Sequence, residues 1–285
     1  MEIKHLNPKG HSFLRPLLQL AKPPKALYLK GSLPTTRKTV VAIVGSRKPT
    51  SYGKEVTFDL AYSLAKRGVV IVSGLAFGVD AIAHRGALEA GGTTIAILPG
   101  GLESIYPAAH QKLAEEIVEK GGALLSEYES GKPQKYQFLA RNRIISGLAD
   151  AIVITEAGER SGTLSTTNHA LDQNKEVFAV PGNITSLLSI GPNRLIQQGA
   201  HPVLGADDIL EVIAPHLLQP QTSFPLGSNP AETKIIKLLQ QGTRSNDELQ
   251  QQSRLSTSEF ASTLTMLEIN KVIRSSGSNQ WMLME

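Results

Sequence analysis

Glycines, hydroxyl side chains and a few cations follow short β-branched runs in this 285-residue sequence, and together they suit a phosphate ligand. Gly45, Ser46 and Arg47 come directly after one such run, and residues 161–163 end the loop after another. Glycine lets a ligand approach backbone N–H groups at helix N-termini, which is how proteins hold phosphates. Several such loops predict a phosphate-binding edge. The loops expected to shape its pocket contain Ser73, Gly74, Gly78, Asp80, Gly100 and Gly101.

The second informative segment, residues 132–143, interleaves cations with aromatic side chains. These are Lys132, Lys135, Arg141, Arg143, Tyr136 and Phe138. In sites for single-stranded nucleic acid, cations contact phosphates and rings stack on bases, so the segment favours such a ligand. The alternative is that Phe138 and Leu139 are core residues at the start of a helix.

Cofactor, metal and catalytic sites find little support in the same residues. The loop that begins at Gly45 matches neither the dinucleotide nor the nucleoside-triphosphate fingerprint, so no cofactor is expected. Tyr62 and Lys66 have the spacing of a reductase pair but lie in a predicted helix away from the ligand edge. Asp80 and His84 could share a metal, but a helix-capping aspartate near a supporting histidine is favoured because no third ligand has suitable spacing. We therefore predict no metal, no catalytic residue and no enzymatic activity.

The elements that must position these loops are those of a doubly wound α/β fold. The predicted strands are mostly continuous apolar runs, as in parallel strands buried on both faces. Residues 55–67 and 108–120 are long enough for crossover helices, and ligands of such sheets lie beyond the carboxyl ends of the strands. The predicted strands are Ala26–Lys30, Val40–Val44, Val69–Val72, Thr94–Leu98, Ala123–Leu125, Ala151–Thr155 and Val177–Val180.

A change in composition predicts a second domain after the sheet. Residues 219–229 are rich in Pro, Gly, Ser and Gln, which indicates a linker. Three helix starts with capping residues follow, at Asn229, Ser245 and Ser256, and then a predicted β-hairpin. This is the pattern of a winged helix. The expected organisation is a short basic segment over residues 1–23, a main domain over 24–218, the linker, and a small domain over 230–285.

Charge and composition limit where a polyanion can bind and where the protein acts. Residues 1–40 carry eight basic and one acidic residue, whereas residues 41–225 carry 15 basic and 18 acidic ones. Any polyanion site within residues 41–225 must therefore be a local cluster of cations. The basic N-terminal segment could be a solvated leader. The absence of cysteine excludes disulfides and thiolate sites. With no secretory signal and no apolar run near 20 residues, we expect a cytoplasmic protein without a membrane partner.

Seven ordered motifs resemble those of the DNA-processing protein A (DprA, also called Smf) family. The resemblance extends from about Pro24 to Ile213. It implies an extended Rossmann-like fold and a single-stranded DNA binder of natural transformation. It also implies that the protein protects incoming strands, forms homodimers and helps to load the RecA recombinase. The motifs begin at Gly45, Ser73, Leu98, Ser126, Phe138, Thr155 and Val177.

Individual site residues are carried over from the same resemblance. Gly45, Ser46 and Arg47 resemble the family's phosphate-holding loop, and Lys135 and Phe138 resemble a pair whose ring contacts bases. The residues that resemble the walls of the DNA pocket are Arg141, Asn142, Arg143, Ser161, Gly162 and Thr163. The tail resembles the winged-helix end of some members. Its presumed third helix, residues 257–269, has no Lys or Arg, so contact with protein or a weak structural use is favoured over contact with duplex DNA.

Two other functions remain open at this point. Nucleotide phosphoribohydrolases share the fold and a Pro-Gly-Gly loop. Their loop continues G-G-x-G-T-x-x-E, whereas Gly100 and Gly101 are followed here by residues 102–105, Leu-Glu-Ser-Ile, which lack the Gly-Thr turn and its spaced glutamate. The other alternative is a regulatory module that senses a small nucleotide.

Overall fold

A computed structural model describes residues 2–159, 161–218, 229–270, 272–277 and 279–283. The chain divides into two compact units, Met1–Leu218 and Gln219–Glu285. No helix among the described residues is both long and apolar enough to cross a membrane.

The first unit is built on one mixed sheet with helices on both faces. Its strands are β1 (Lys4–Leu6), β2 (Leu27–Gly31), β3 (Val40–Val44), β4 (Val70–Ser73), β5 (Thr94–Leu98), β6 (Ala123–Ser126), β7 (Ala151–Ile154), β8 (Glu176–Ala179) and β9 (His201–Pro202). Its α-helices are α1 (Ser51–Lys66), α2 (Val79–Glu89), α3 (Gln111–Glu119), α4 (Lys135–Leu148), α5 (Gly162–Asp172), α6 (Ile190–Gln197) and α7 (Ala206–Ile213).

The strand order is β1-β2-β6-β5-β4-β3-β7-β8-β9. Strands β3 to β9 pair in parallel, whereas β2 pairs antiparallel with both β1 and β6. Chain order runs outward from β3 to β6 in one direction and from β7 to β9 in the other. The predicted doubly wound, mostly parallel sheet is therefore confirmed, with strand ends that move by one residue.

The central strands are buried on both faces, which explains their continuous apolar sequences. In β3, Val40, Ala42 and Val44 belong to one core cluster, while Val41 and Ile43 belong to the cluster on the other face. Successive strand residues point to opposite faces, so a strand covered on both sides needs an apolar side chain at every position.

The basic start of the chain is part of the first unit, so its interpretation as a solvated leader is wrong. Residues Ser12–Gln19 form a 3₁₀ helix, and Phe13, Leu14 and Leu17 are fully buried in a core cluster of the sheet. The cations of the segment, such as Arg15, are exposed. A count of charges does not take account of the apolar side chains between the cations. These apolar side chains decide where the segment packs.

The second unit has the three helices and the hairpin expected of a winged helix. They are α8 (Pro230–Gln240), α9 (Asn246–Ser253), α10 (Thr257–Ile269), β10 (Ile273–Gly277) and β11 (Gln280–Leu283). Asn229 Oδ1 accepts a hydrogen bond from the Glu232 N–H at 2.9 Å, and Ser256 Oγ accepts one from the Glu259 N–H at 3.3 Å. Ser245 is the N-cap of α9 without a side-chain cap bond. Of the predicted linker, all but Asn229 lies outside the described residues.

The buried position of Leu17 gives a direct test of how the N-terminal segment packs. Leu17→Ala should lower the free energy of unfolding of the first unit by about 2–5 kcal/mol, because it leaves a cavity under the sheet. Leu18→Ala is the matched control, because Leu18 is 37% exposed and the loss there should be much smaller. Urea unfolding of the full chain measures both, and equal losses would contradict the packing.

Candidate nucleic-acid interface

The loops after β3, β4 and β7 meet at the carboxyl edge of the sheet, where chain order reverses between β3 and β7. Ligands of doubly wound sheets bind at such a switch point. With the first turns of α4 and α5, these loops enclose a cleft of about 240 Å³. It is lined by Val44, Gly45, Arg47, Ala76, Asp80, Phe138, Leu139, Arg141, Asn142, Ile145, Ser161, Gly162, Thr163 and Thr166.

The loop after β3 is fixed by a glutamate that sequence reasoning did not single out. Glu156 is 2% exposed, and its carboxylate accepts hydrogen bonds from the Thr50 N–H at 2.8 Å and the Thr50 hydroxyl at 2.6 Å. The Glu156 backbone oxygen accepts a bond from the Ser46 N–H at 2.6 Å. A Cβ at Gly45 would lie 2.8 Å from the same oxygen, so glycine is needed there. The signal for Glu156 was its position directly after a buried strand.

Arg141 is a buried cation that joins α4 to the sheet. Its side chain is 6% exposed, and Nη1 donates to the Gly74 carbonyl at 2.8 Å and to the Ile97 carbonyl. Gly74 makes this possible, because a Cβ there would lie 2.5 Å from the guanidinium. Burial lowers the pKa of Arg141 to about 10, and Asp80 opposes that shift, so the side chain is charged at neutral pH. Nη1 is thus used within the protein, while Arg141 lines the cleft and supplies positive charge to it. Its contact with DNA stays a prediction.

Asp80 orders the loop after β4. Its Oδ2 accepts hydrogen bonds from the Gly74 N–H at 3.1 Å and the Ala76 N–H at 3.3 Å. Burial raises the pKa of Asp80, and Arg141 and the two N–H groups partly offset that effect. The N-cap of α2 is Gly78, at φ +76°, so the predicted capping role of Asp80 is wrong. The carboxylate lies in the first turn and points back to the loop.

Phe138 is the aromatic surface of the cleft, and it lies in the first turns of α4. The Arg47 guanidinium lies over its ring, 5.8 Å from the centroid, and the Tyr106 ring meets it at 5.6 Å in a T-shaped contact. Phe138 is half-buried, and Leu139 is 53% exposed. The alternative that Leu139 is a core residue is therefore wrong.

Two predicted cations do not line the cleft. Arg143 lies two residues beyond Arg141, which is about 200° around a helix of 3.6 residues per turn. Its Nη2 donates to both oxygens of Glu127, at 2.6 and 2.7 Å, so its place in the pocket wall is wrong. Lys135 is exposed at the first residue of α4, outside the cleft lining.

The opposite wall is the start of α5. Ser161 is its N-cap and accepts a hydrogen bond from the Thr163 N–H at 3.1 Å. Asn142 Nδ2 donates to the Gly162 carbonyl at 3.5 Å, which joins the two walls. Asn142, Ser161, Gly162 and Thr163 line the cleft, and their contact with DNA stays a prediction.

The remaining predicted loop residues lie behind the cleft and support it. The Ser73 hydroxyl donates to the Ile43 carbonyl at 2.7 Å, which joins β4 to β3. The Gly101 N–H donates to the Gly131 carbonyl at 3.0 Å, and a Cβ at Gly100 would lie 2.8 Å from that carbonyl oxygen. These contacts fix the turn that leads into α4.

His84 is fully buried, and its ring forms no hydrogen bond with Asp80. Its Nδ1 lies 2.7 Å from Thr94 Oγ1, and that hydroxyl donates to the Ile71 carbonyl at 2.9 Å, so Nδ1 carries the hydrogen. Nε2 has no hydrogen-bond partner among the described residues. Burial lowers the pKa of His84 to about 3, and His110 and Arg141 act in the same direction. The ring is therefore neutral, and the described residues contain no cluster of three groups that could hold a metal.

Two family models match this chain. Residues 5–214 match the model of DNA recombination-mediator protein A, and residues 219–278 match the DprA winged helix domain. The chain belongs to the DprA family. Both the family resemblance and the predicted winged helix are thereby confirmed.

Individual DprA-family proteins give the same result. The chain is 43% identical to DNA processing protein DprA of Bacillus subtilis over 68% of its length and 66% of the relative, and 44% identical to protein Smf of Escherichia coli over 73% and 56%. It therefore spans only about half to two thirds of these relatives. A structure describing how DNA processing protein A from Helicobacter pylori binds single-stranded DNA covers 76% of this chain and 97% of that one, with a TM-score of 0.65 and 36% identity.

The buried His84 predicts a specific pH dependence of stability. Its pKa is about 3 in the folded state, against an ordinary value of 6.5, so the unfolded chain takes up the proton first as the pH falls. Stability should therefore decrease from about pH 6.5 towards pH 3, by up to about 1.4 kcal/mol per pH unit from this group. In chemical unfolding, the free energy of unfolding of the wild type should therefore fall towards that of His84→Gln as the pH decreases over that range.

The matched control for this measurement is His216→Gln, which removes an exposed ring. This variant is the baseline for the loss of one histidine at the surface. A stability difference between the wild type and His84→Gln that does not change with pH would contradict a buried neutral ring.

Proposed function

We propose that this chain binds single-stranded DNA in the cleft at the carboxyl edge of the sheet. The observation that carries the proposal is the pairing of an exposed cation, Arg47, with an accessible aromatic face, Phe138, above the buried charge of Arg141. The cations attract phosphates, and the ring can stack on any base. The single-stranded DNA binding of the related Helicobacter pylori protein supports the same ligand.

The wider role proposed is that of a recombination mediator in the cytoplasm. In it the chain protects incoming single strands during natural transformation and helps to load a RecA-type recombinase. Membership of the DprA family supports this role. The winged-helix unit is proposed to contact protein, because α10 carries Glu259 and Glu268 but no Lys or Arg.

The contacts of the Asp80 carboxylate in the cleft favour a binding function over nucleotide hydrolysis. Asp80 is occupied by two loop N–H groups and lies beside Arg141, so it serves the loop rather than a reacting atom. Incubation with nucleoside monophosphates tests the alternative, and release of free base would support a hydrolase. A nucleotide sensor would show saturable mononucleotide binding that oligonucleotides do not displace.

A homodimer is also proposed, through exposed apolar side chains at one end of the sheet. Ile184 and Leu187 follow β8 and are 88% and 76% exposed, and Leu204 follows β9 and is 88% exposed. Strands β8 and β9 pair in parallel, so both loops leave the same edge of the sheet. Large apolar side chains grouped on a surface are typical of protein interfaces.

Substitution of Phe138 tests whether its ring contributes to DNA affinity rather than to the free energy of unfolding. Phe138→Ala should weaken binding of oligothymidylate by about 1–3 kcal/mol, with little change in the free energy of unfolding, because the ring is only half-buried. Phe138→Trp should bind normally, since a stacking surface tolerates a larger ring. Tyr136→Ala is the control, because Tyr136 is 66% exposed on the same helix outside the cleft lining. Fluorescence anisotropy at two salt concentrations measures affinity, and normal binding by a folded Phe138→Ala variant would remove the ring from the site.

The dimer proposal is tested by charge substitution. Ile184→Asp combined with Leu204→Asp should shift the protein from dimer to monomer in sedimentation velocity, because a buried interface does not tolerate unpaired carboxylates. Leu171→Asp is the control, since Leu171 is 56% exposed on α5 and should leave the dimer intact. A wild-type protein that is monomeric at micromolar concentration would contradict the proposal.

A further inference from the structure

A second cavity adjoins the cleft on the other side of Arg47. It is a groove of about 710 Å³ between the starts of α1 and α2, which is within the size range of ligand sites. Four cations line it, Arg47, Lys48, Lys54 and Arg85, and all four are exposed. No carboxylate is among the lining residues. The cleft and the groove share Arg47, so one continuous surface runs through both.

The charge of this groove is unusual for its part of the chain. Residues 41–225 have three more acidic than basic residues, so four cations without a carboxylate form a local cluster. Among the described residues, none of the four is in an ion pair. Their mutual repulsion is unfavourable in the free protein and is relieved when an anion binds. The groove therefore favours a ligand with several phosphates.

An aromatic ring, that of Phe77, lines the groove. Phe77 is 48% exposed, and its ring meets the His110 ring at a centroid distance of 4.9 Å and an interplanar angle of 64°. The His110 ring is itself held, because Nδ1 lies 2.8 Å from the Leu75 carbonyl oxygen. One side of Phe77 is thus supported by protein, and the ring remains accessible to a base. Exposure of a large ring among cations is the combination that binds single strands.

Backbone atoms lie between the cleft and the groove, and their positions are fixed by a hydrogen bond and by close packing. The Val79 N–H donates to the Ser46 carbonyl at 3.1 Å. Gly78 has φ +76°, and a Cβ there would lie 2.3 Å from the same carbonyl oxygen. The loop that carries Arg47 and Lys48 therefore lies directly on the start of α2. Arg47 lines both cavities, and Lys48 lines the groove.

From these observations we propose that the groove continues the path of the single strand beyond the cleft. Lys48, Lys54 and Arg85 neutralise its phosphates, and Phe77 stacks on a base. The inference rests on the proposed binding of single-stranded DNA in the cleft, and it adds a second aromatic contact and a longer site. Affinity should therefore depend on the length of the oligonucleotide.

The test compares short and long oligothymidylates, of about 4 and about 20 nucleotides, spanning the range of known single-strand sites. Lys54→Gln combined with Arg85→Gln should bind the short oligonucleotide as the wild type does and the long one at least tenfold more weakly. Its log–log salt slope with the long oligonucleotide should fall by about 1.4, which is about 0.7 for each lost phosphate contact. Phe77→Ala should lower affinity for the long oligonucleotide alone, by about tenfold.

Lys66→Gln combined with Arg67→Gln is the matched control, since it removes the same charges at the other end of α1. The proposal is overturned if this control weakens binding of the long oligonucleotide as much as the groove variant does. It is also overturned if the groove variant binds both lengths like the wild type, or loses equal affinity for both.

A direct readout follows from the single tryptophan of the chain. In Phe77→Trp combined with Trp281→Phe, the indole fluorescence should be quenched by the long oligonucleotide and not by the short one. Phe138→Ala in the same series reports on the cleft, where affinity for both lengths should fall. If Phe138→Ala leaves the affinity unchanged, only the proposed binding of DNA in the cleft is contradicted. If the Phe77→Trp variant binds the long oligonucleotide without quenching, the proposed path of the strand through the groove is overturned.

Discussion

The buried guanidinium of Arg141 is the constraint on which the cleft depends. Removing such a charge from water costs on the order of several kcal/mol, so it must be met by well-placed acceptors. The Gly74 and Ile97 carbonyls supply them, and they belong to two neighbouring strands and their loops. Because Arg141 lies on α4, this interaction fixes the height and rotation of that helix over the sheet edge. Phe138 and Asn142, on the same helix, are positioned as a consequence.

A second buried side chain, Glu156, fixes the loop after β3, and it acts from a different strand. Glu156 follows β7 and holds the start of α1 through Thr50, while its backbone oxygen holds Ser46. A Cβ at Gly53 would lie 2.3 Å from the Glu156 carboxylate, so the glycine is part of the same arrangement. The loop that carries Arg47 is thus ordered before any ligand binds. Ordering groups in advance reduces the entropy lost on binding, which leaves more of the contact energy as affinity.

The sheet could be predicted from the sequence because burial on both faces demands apolar residues at every position of a strand. The winged helix could be predicted because its caps and turn residues are local signals. The first 23 residues could not, because the side chains that decide their place, Phe13 and Leu17, are few and lie among cations. Strands β1 and β9 are too short and polar to be recognised from their sequence.

The site was predicted as a set of residues, but the sequence does not reveal how each one is used. Arg141 and Arg143 are two residues apart and have the same chemistry. One binds two buried carbonyls and the other forms an ion pair with Glu127, because helical rotation points them to different surroundings. Glu156 was hidden for the opposite reason, since its partners lie more than 100 residues away in the chain. Such roles depend on tertiary contacts, which periodicity and spacing do not contain.

In the proposed complex, the contact between Arg47 and Phe138 limits how a strand can enter. The Arg47 guanidinium is exposed and lies 5.8 Å from the centroid of the Phe138 ring, so it can donate to a phosphate without leaving the ring. The Tyr106 ring makes a T-shaped contact with the same ring at 5.6 Å. A base must therefore stack on the part of the Phe138 ring that neither neighbour covers. In this arrangement one cation holds a phosphate and one ring holds a base, which would recognise the backbone and stacking of a single strand without reading its sequence.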